Sequence, residues 1–391
     1  MLRLADVLRQ RGPAYLERHG SAMMPGHVGA VQAILRCRTA EMGGHLAECG
    51  ECRYQHLFYH SCRHRACPQC GYDTTTRWLD GQRDLLLPIA YFHVVLTLPA
   101  ELRRLVRSHQ KTLLPVLFRA AFEALAELCA DPKHLGAQVG ALAVLHTWTR
   151  TLEWHPHVHL LVPGGGLAPD GRTWVPARRL RNGNLFLVPV KAVAKRFRGR
   201  FLHLARRALP GVVFPDIPWG KKWVAFAKPT VQGAESVLAY LGRYVHKTAI
   251  TDRALVGLQE DTVSFRYRDS RDQRKRTMTL PAQEFLRRFL QHVLPKGLHR
   301  VRAFGLLHPA HRAVLRRLQL LLASRGATGT DGQEHTRPAA DPATPGSCCP
   351  RCGATSLRRG RRLSSEECAA FDARLAAQNE RARAPPRPEG L

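Results

Sequence analysis

Five cysteines in HLAECGECRYQHLFYHSCRHRACPQCG, spaced Cys49-x2-Cys52, Cys62 and Cys67-x2-Cys70, leave the N-terminal part of this chain little freedom in how it folds. Each Cys-x2-Cys turn aims two thiolates at one ion, so the two turns predict a single tetrahedral zinc site of Cys49, Cys52, Cys67 and Cys70. Gly50 and Gly71 are expected to ease the tight turns. The metal replaces a hydrophobic core that so short a segment lacks. Cys62, with His45, His60 or His64, offers spare ligands for a substitution or a second site. The chain has eleven cysteines, an odd number, mostly in pairs, which favours metal ligation over disulfides and a reducing compartment.

Lys and Arg number 60 against 30 for Asp and Glu, a formal charge of +30. Such an excess implies a polyanionic partner, and nucleic acid fits it best. Arg53, His56, Arg63, His64 and Arg65 are expected to face a DNA backbone from the cysteine-rich module, while Tyr54, Phe58 and Tyr59 either stack on bases or pack around zinc. With 391 residues, 45% of them hydrophobic, the chain should bury cores in two or three domains. No apolar stretch is long enough to span a membrane, and MLRLADVLRQRG lacks the apolar core of a signal peptide, so a cytoplasmic location without membrane contact is expected.

Residues 1 to about 40 read as helical, broken at Gly12-Pro13 and Pro25-Gly26. A helix is expected over 74–87, a strand over 90–98, one long helix over 101–130, then strands through ALAVLHTWT and EWHPHVHLLVP. That order predicts an α+β fold with an antiparallel sheet. His157 and His159 are two apart on a strand, so both imidazoles point to one face and can reach one divalent cation. Alone, such a pair is more often ordinary surface or core. Pro156 lacks a ladder donor and predicts the start or edge of the strand. Glu153 and His155 are candidates for a third metal-side group, and the spacing selects neither. AESVLAYLGRYV has good helix formers and places Tyr240 and Tyr244 on one helix face. Tyrosines so spaced usually pack. As a nucleophile, a phenol of pKa ~10 needs nearby positive charge, here from Arg243, His246 and Lys247. The run Lys191 to Arg207 has helical spacing and a cationic face, either a DNA contact or a solvated surface.

The chain resembles the insertion-sequence-91 family of transposases, two-tyrosine members of the HUH endonuclease superfamily. The resemblance rests on GGHLAEC, YHSCRHRACPQCG, LLPIAYFHVVLTLP, WHPHVHLLVPGGGLAPDGRTWV, AKPTVQGAESVLAYLGRYVHKTAI and RKRTMTLPAQEFLRRFLQHVLPKGLHRVRAFGLLHP, and spans roughly residues 1 to 320. It implies an N-terminal zinc-binding module followed by an HUH-endonuclease-like antiparallel sheet with packed helices. It also implies rolling-circle-like transposition, with Tyr240 and Tyr244 as nucleophiles, a 5′-phosphotyrosine link, single-stranded DNA at element ends and target, and Mg2+ or Mn2+ at His157 and His159. Arg63, Arg65, Arg243 and Lys247 are the expected DNA contacts. Competing readings are a non-catalytic zinc-containing DNA-binding protein and a replication initiator or relaxase.

The expected division is a zinc module over 1–75, a catalytic domain over 76–322, and a linker and tail over 323–391 that is largely disordered. Within the tail, Cys349-x2-Cys352 is half a zinc knuckle, with Cys348 and Cys368 as candidate partners.

Overall fold

In the computed structural model, which describes residues 1–70, 78–79, 81–82, 85–218, 220–230, 242, 248–269, 271–326 and 348–383, the chain begins with helix α1, Leu4–His19. It runs through Gly12 and Pro13, where the sequence predicts a break. A proline inside a helix costs roughly 3 kcal/mol, and burial of Leu4, Val7, Leu8 and Tyr15 on one face offsets this. The second predicted break does fall at a boundary. Pro25 opens α2, Pro25–Arg36, where a missing N–H costs nothing. Strands β1, Gly44–Cys49, and β2, Gln55–Tyr59, then form an antiparallel hairpin. The helix expected over 74–87 lies mostly outside the described residues.

The central sheet contains β3, Tyr91–Thr97; β4, Gly140–Trp148; and β5, Trp154–Pro163. Two short hairpins follow, from β6, Gly165–Leu167, with β7, Trp174–Pro176, and from β8, Arg178–Arg179, with β9, Leu185–Phe186. Strands β10, Val224–Pro229, and β14, Val301–Gly305, complete the sheet in the order β10-β3-β5-β4-β14, antiparallel throughout. Alternation decides its two faces. Phe92, Val94, Leu96, Ala141, Ala143, Leu145, Val158, Leu160 and Val162 point to one side and form the main core. There they meet the helices α4, Gln110–Ala130, and α5, Val190–Ala208. Each fully buried Leu, Val or Phe contributes about 1.5–3 kcal/mol.

Where one helix is expected over 101–130, a 3-10 turn at Ala100–Leu102 leads into α3, Arg103–Ser108, and His109 at φ −118° and ψ 42° separates that from α4. The cationic face of α5 is partly engaged within the fold, since Arg196 and Arg200 pair with Glu123 and Glu127 of α4. Pro156 lies near the start of β5, one of the two places expected for it, and not at an edge, because β5 is the middle strand. It sits in a bulge: Trp148 pairs with Trp154 and His146 with His157, so residues 155 and 156 together oppose Thr147. A bulge tolerates a residue that lacks a ladder donor.

A second core crosses the expected boundary near residue 75. Strands β11, Leu255–Gln259, β12, Thr262–Arg268, and β13, Lys275–Pro281, form a sheet followed by α6, Ala282–Leu290. Val263, Phe265, Phe285, Leu286 and Phe289 from these elements pack in one cluster with Leu4, Leu8 and Ile34 of α1 and α2 and with Cys37, Cys67 and Cys70. Helix α7, Arg312–Gly326, runs past the expected end of the catalytic domain.

Within the tail that the sequence predicts to be largely disordered, the described residues 348–383 form regular structure. Strand β15, Leu357–Leu363, pairs antiparallel with β1, and α8, Ser365–Arg383, follows it. LRRGRRL carries no apolar alternation. The strand forms because β1 offers a free edge, and Leu363 and Cys368 bury against Leu57 of β2.

Phe285→Ala is expected to lower stability by about 3–5 kcal/mol and to speed amide hydrogen exchange in α1 and α2 as well as in α6. Unchanged exchange in the two N-terminal helices would show that the core is not shared.

Candidate metal centres

The structure divides the predicted zinc ligands between two clusters. Cys67 and Cys70 join Cys62 and Cys37, while Cys49 and Cys52 join Cys349 and Cys352. In each group the four Sγ atoms lie within 4.8 Å of one another. The single site of Cys49, Cys52, Cys67 and Cys70 is therefore corrected. Each pair does meet a second pair, but a different one.

Cys37 follows the last residue of α2 and its Sγ lies 3.3 Å from that of Cys70, while Cys62 Sγ is 3.6 Å from Cys70 Sγ. In the other cluster Cys49 Sγ is 3.7 Å from Cys352 Sγ, and Cys52 Sγ is 3.6 Å from Cys349 Sγ. A disulfide needs ~2.05 Å, whereas the sulfurs of a tetrahedral zinc site with Zn–S of about 2.3 Å stand roughly 3.8 Å apart. The spacing fits the metal. Crowded sulfurs share protons unequally: hydrogen bonds from neighbouring cysteines push the Cys37 and Cys67 thiols up and the Cys70 thiol down. The backbone N–H of Cys52 draws the Cys49 thiol down to about 6. Four sulfurs this close ionise together only around a cation.

Gly50 is not the residue that makes the first turn. The left-handed position is Arg53, at φ +59°, just after Cys52. Nor does closeness demand glycine at position 50, since a Cβ there would meet Ser356 at 3.4 Å, an ordinary van der Waals contact. Gly71 lies outside the described residues. His45, His60 and His64 join neither cluster; His45 and His60 bond each other at 3.0 Å, and His64 Nδ1 accepts from the Ala66 N–H. Cys348 is exposed, and Cys368 is buried among apolar side chains, so neither partners the Cys349 knuckle.

A third cluster holds the predicted histidines. His157 and His159 are joined by His146 of β4, with one nitrogen from each within 4.8 Å of the others. His146 pairs directly with His157 across the strands, and Val144 with His159, so all three rings occupy the sheet face opposite α4 and α5. Cross-strand register brought in this third residue, and no local pattern reveals register. Glu153 is exposed outside the group. His155 shares the face, but its Nδ1 accepts from Arg103 at 2.7 Å; burial, His157 and Arg103 hold it at about 4.

The cluster is braced from behind. His157 Nδ1–H donates to the His155 carbonyl at 2.7 Å, and His159 Nδ1 lies 2.7 Å from His93 Nε2 on β3. Burial lowers the His157 pKa and pushes His93 down to about 4, so both rings are neutral at neutral pH. Between β4 and β5, Leu152 holds φ +62°, a left-handed conformation that costs a residue of this kind roughly 1–2 kcal/mol. Its carbonyl accepts from Gln291 Nε2 at 2.9 Å and His292 Nε2 at 3.1 Å. His292 Nδ1 also meets Thr147, the residue after His146, at 3.2 Å.

Of the expected DNA contacts, Arg63 is exposed, with φ +52°. Arg65 does not face outward. Its guanidinium donates to the carbonyls of Leu294, Pro295 and Leu298, which ties the N-terminal module to the segment after α6. Tyr59 is bonded to Asp372 of α8, while His56 packs edge-on against Phe58. Tyr240, Tyr244, Arg243, His246 and Lys247 lie outside the described residues. No helix among the described residues is long and apolar enough to cross a membrane.

Two family models match the chain: a transposase zinc-binding domain over residues 7–98 and a putative transposase over residues 140–314. A putative transposase of Sinorhizobium fredii is 40% identical over 328 residues, covering 79% of this chain and 81% of the relative. The transposase for insertion sequence element IS801 of Pseudomonas savastanoi pv. phaseolicola is 32% identical over 299 residues, covering 72% of this chain and 70% of the relative. No solved structure matches the chain. The first model spans the cysteines from Cys37 to Cys70, and the second spans His146, His157 and His159.

Burial lowers His292 from 6.5 to about 3. The unfolded chain therefore binds this proton more tightly, and its contribution is complete above the unfolded value and lost as pH falls towards the folded one. Unfolding free energy is expected to fall on acidification from about pH 6.5, with a shallower slope in His292→Gln. An unchanged slope in denaturant titrations would rule out this residue as a source of acid sensitivity.

Proposed function

The chain belongs to the insertion-sequence-91 family of transposases, and from that premise we propose that it nicks one strand of its DNA partner and transfers it through tyrosine. One observation carries the metal side of this reading: His146, His157 and His159 bring three ring nitrogens within 4.8 Å on one face of a rigid sheet. The donor set tests the metal. Neutral imidazoles suit a transition ion, and Mg2+ prefers oxygen, so of the two ions implied by the family resemblance these residues fit Mn2+ better.

With Nδ1–H of His157 directed at the His155 carbonyl, its Nε2 lone pair is available for the ion. His159 Nδ1 lies 2.7 Å from His93 Nε2, and a proton on Nδ1 in that bond would give His159 the same tautomer. When bound, the cation polarises a phosphodiester oxygen and neutralises charge that develops on it. His146, His157 and His159 would hold the ion, and three protein ligands would leave it able to accept that oxygen.

Tyr240 and Tyr244 are the proposed nucleophiles, with Arg243 and Lys247 near them in sequence favouring phenolate. The phenolate oxygen forms a bond to phosphorus as the bond to the 3′ oxygen breaks. The products are a 5′-phosphotyrosine and a 3′ oxygen that takes a proton from water. A second tyrosine permits a second cleavage while the first link persists. The substrate in this reading is single-stranded DNA at the element ends and target. Zinc in the N-terminal module is structural, consistent with a matching zinc-binding domain and with thiolate clusters that offer no open position.

Incubation with single-stranded DNA from the element ends and Mn2+ is expected to give a covalent adduct on a denaturing gel, abolished in the Tyr240→Phe, Tyr244→Phe double variant. Absence of an adduct across several ends would overturn the enzyme reading. His146→Ala should reduce nicking by a factor of a hundred or more, on the order of the loss for His157→Ala, with DNA affinity preserved because the charge that drives it is untouched. Full nicking by His146→Ala would remove it from the metal site.

A further inference from the structure

The turns at Cys49–Cys52 and Cys349–Cys352 lie far apart in the chain yet are built alike. In each, the first cysteine N–H donates to a carbonyl five residues on, Cys49 to Tyr54 at 3.0 Å and Cys349 to Ala354 at 2.7 Å. In each, the residue after the second cysteine donates back to the first, Arg53 to Cys49 at 3.1 Å and Gly353 to Cys349 at 2.8 Å. That residue is left-handed both times, with φ +59° at Arg53 and +77° at Gly353. Two matched knuckles thus face each other across four sulfurs. The Gly50 N–H also donates to Ser356 at 3.1 Å, which fastens one knuckle to the other.

The surrounding packing is thin. Beyond the knuckles, the segment 348–383 is held by the β1–β15 ladder, by Tyr59 bonded to Asp372, and by a small cluster built on Leu57, Leu363 and Cys368. Leu57, Leu363 and Cys368, with the partly buried Ala40, Leu46, Tyr59 and Phe371 packed against them, make a small core for a strand and a helix, and a metal is the usual remedy where so little apolar surface is available. Softness of the donors selects zinc, as four thiolates do in closed structural sites.

We propose that Cys49, Cys52, Cys349 and Cys352 hold a second zinc ion, separate from the one at Cys37, Cys62, Cys67 and Cys70, and that it clasps residues 348–383 onto the N-terminal module. The transposase zinc-binding domain matched over residues 7–98 contains only one half of this site. The other half is supplied from beyond residue 326, so the ion closes the chain on itself. The clasp also fixes Arg358 and Arg362, both exposed, on the edge of the sheet beside β1.

Elemental analysis of the purified full chain is expected to give two zinc ions per molecule, falling to one in the Cys349→Ser, Cys352→Ser double variant. Cobalt exchange should give tetrathiolate charge-transfer absorption in wild type with twice the intensity seen in that variant. A second measurement does not depend on how the variant folds. With a protease site inserted between residues 326 and 348 of otherwise wild-type protein, the cut C-terminal fragment should stay bound until a chelator is added, then dissociate. One zinc in wild type, two zincs retained in the variant, or a cut fragment that ignores the chelator would each overturn the proposal.

Discussion

The antiparallel register between β4 and β5 is the constraint on which the candidate nicking site depends. It sets His146 opposite His157 and Val144 opposite His159. A slip of one residue would send the histidines into the apolar layer against α4 and α5, and Val158 and Leu160 out of it. The core therefore enforces the site. Val158, Leu160 and Val162 are fully buried on one side of the strand, and their burial fixes which way the imidazoles face. The bulge at residues 155 and 156 takes up the mismatch at the strand's start without moving the imidazoles of His146, His157 and His159 off their common face.

The cysteine module is not an appendage to this sheet. Cys37, Cys67 and Cys70 belong to the same buried cluster as Phe285 and Phe289, and Arg65 between them donates to carbonyls that follow α6. Neighbouring His292 binds the Leu152 carbonyl and Thr147. A continuous path of packing and hydrogen bonds thus runs from the first thiolate cluster to the loop that joins the histidine strands. The physical role of that cluster is to hold α2 and the knuckle against α6, the helix that immediately precedes His292.

Local pattern carried a large part of this structure and failed where partners are distant. Alternation in AYFHVVLTL and EWHPHVHLLVP made β3 and β5 legible, and the i, i+2 rule put His157 and His159 on one face. His146 lay in plain view in ALAVLHTWT, yet only pairing between strands brings it beside His157. The cysteines repeat the lesson. Spacing identified each Cys-x2-Cys turn correctly as half of a site, but which halves meet is a matter of tertiary contact. Cys49 and Cys52 find their partners beyond residue 326, and Cys37 enters from the end of a helix. For the tail, a run of arginines around Gly360 gave no period to read. An edge strand needs none when its neighbour supplies the ladder.

The donor sets also separate the two kinds of centre by their capacity for chemistry. Four thiolates around one zinc fill its coordination shell and leave no position for substrate, so such a site stabilises and does nothing else. In the proposed reading, three imidazoles would leave a larger, more labile cation short of ligands, and a phosphodiester oxygen could supply what it lacks. Neutrality matters as much as number. Thiolates bring charge that would satisfy the cation, whereas burial holds His157 and its neighbour His93 uncharged. A cation held by neutral rings would keep its full positive charge for an anionic ligand, and in a chain with 60 basic residues the proposed ligand is the DNA backbone.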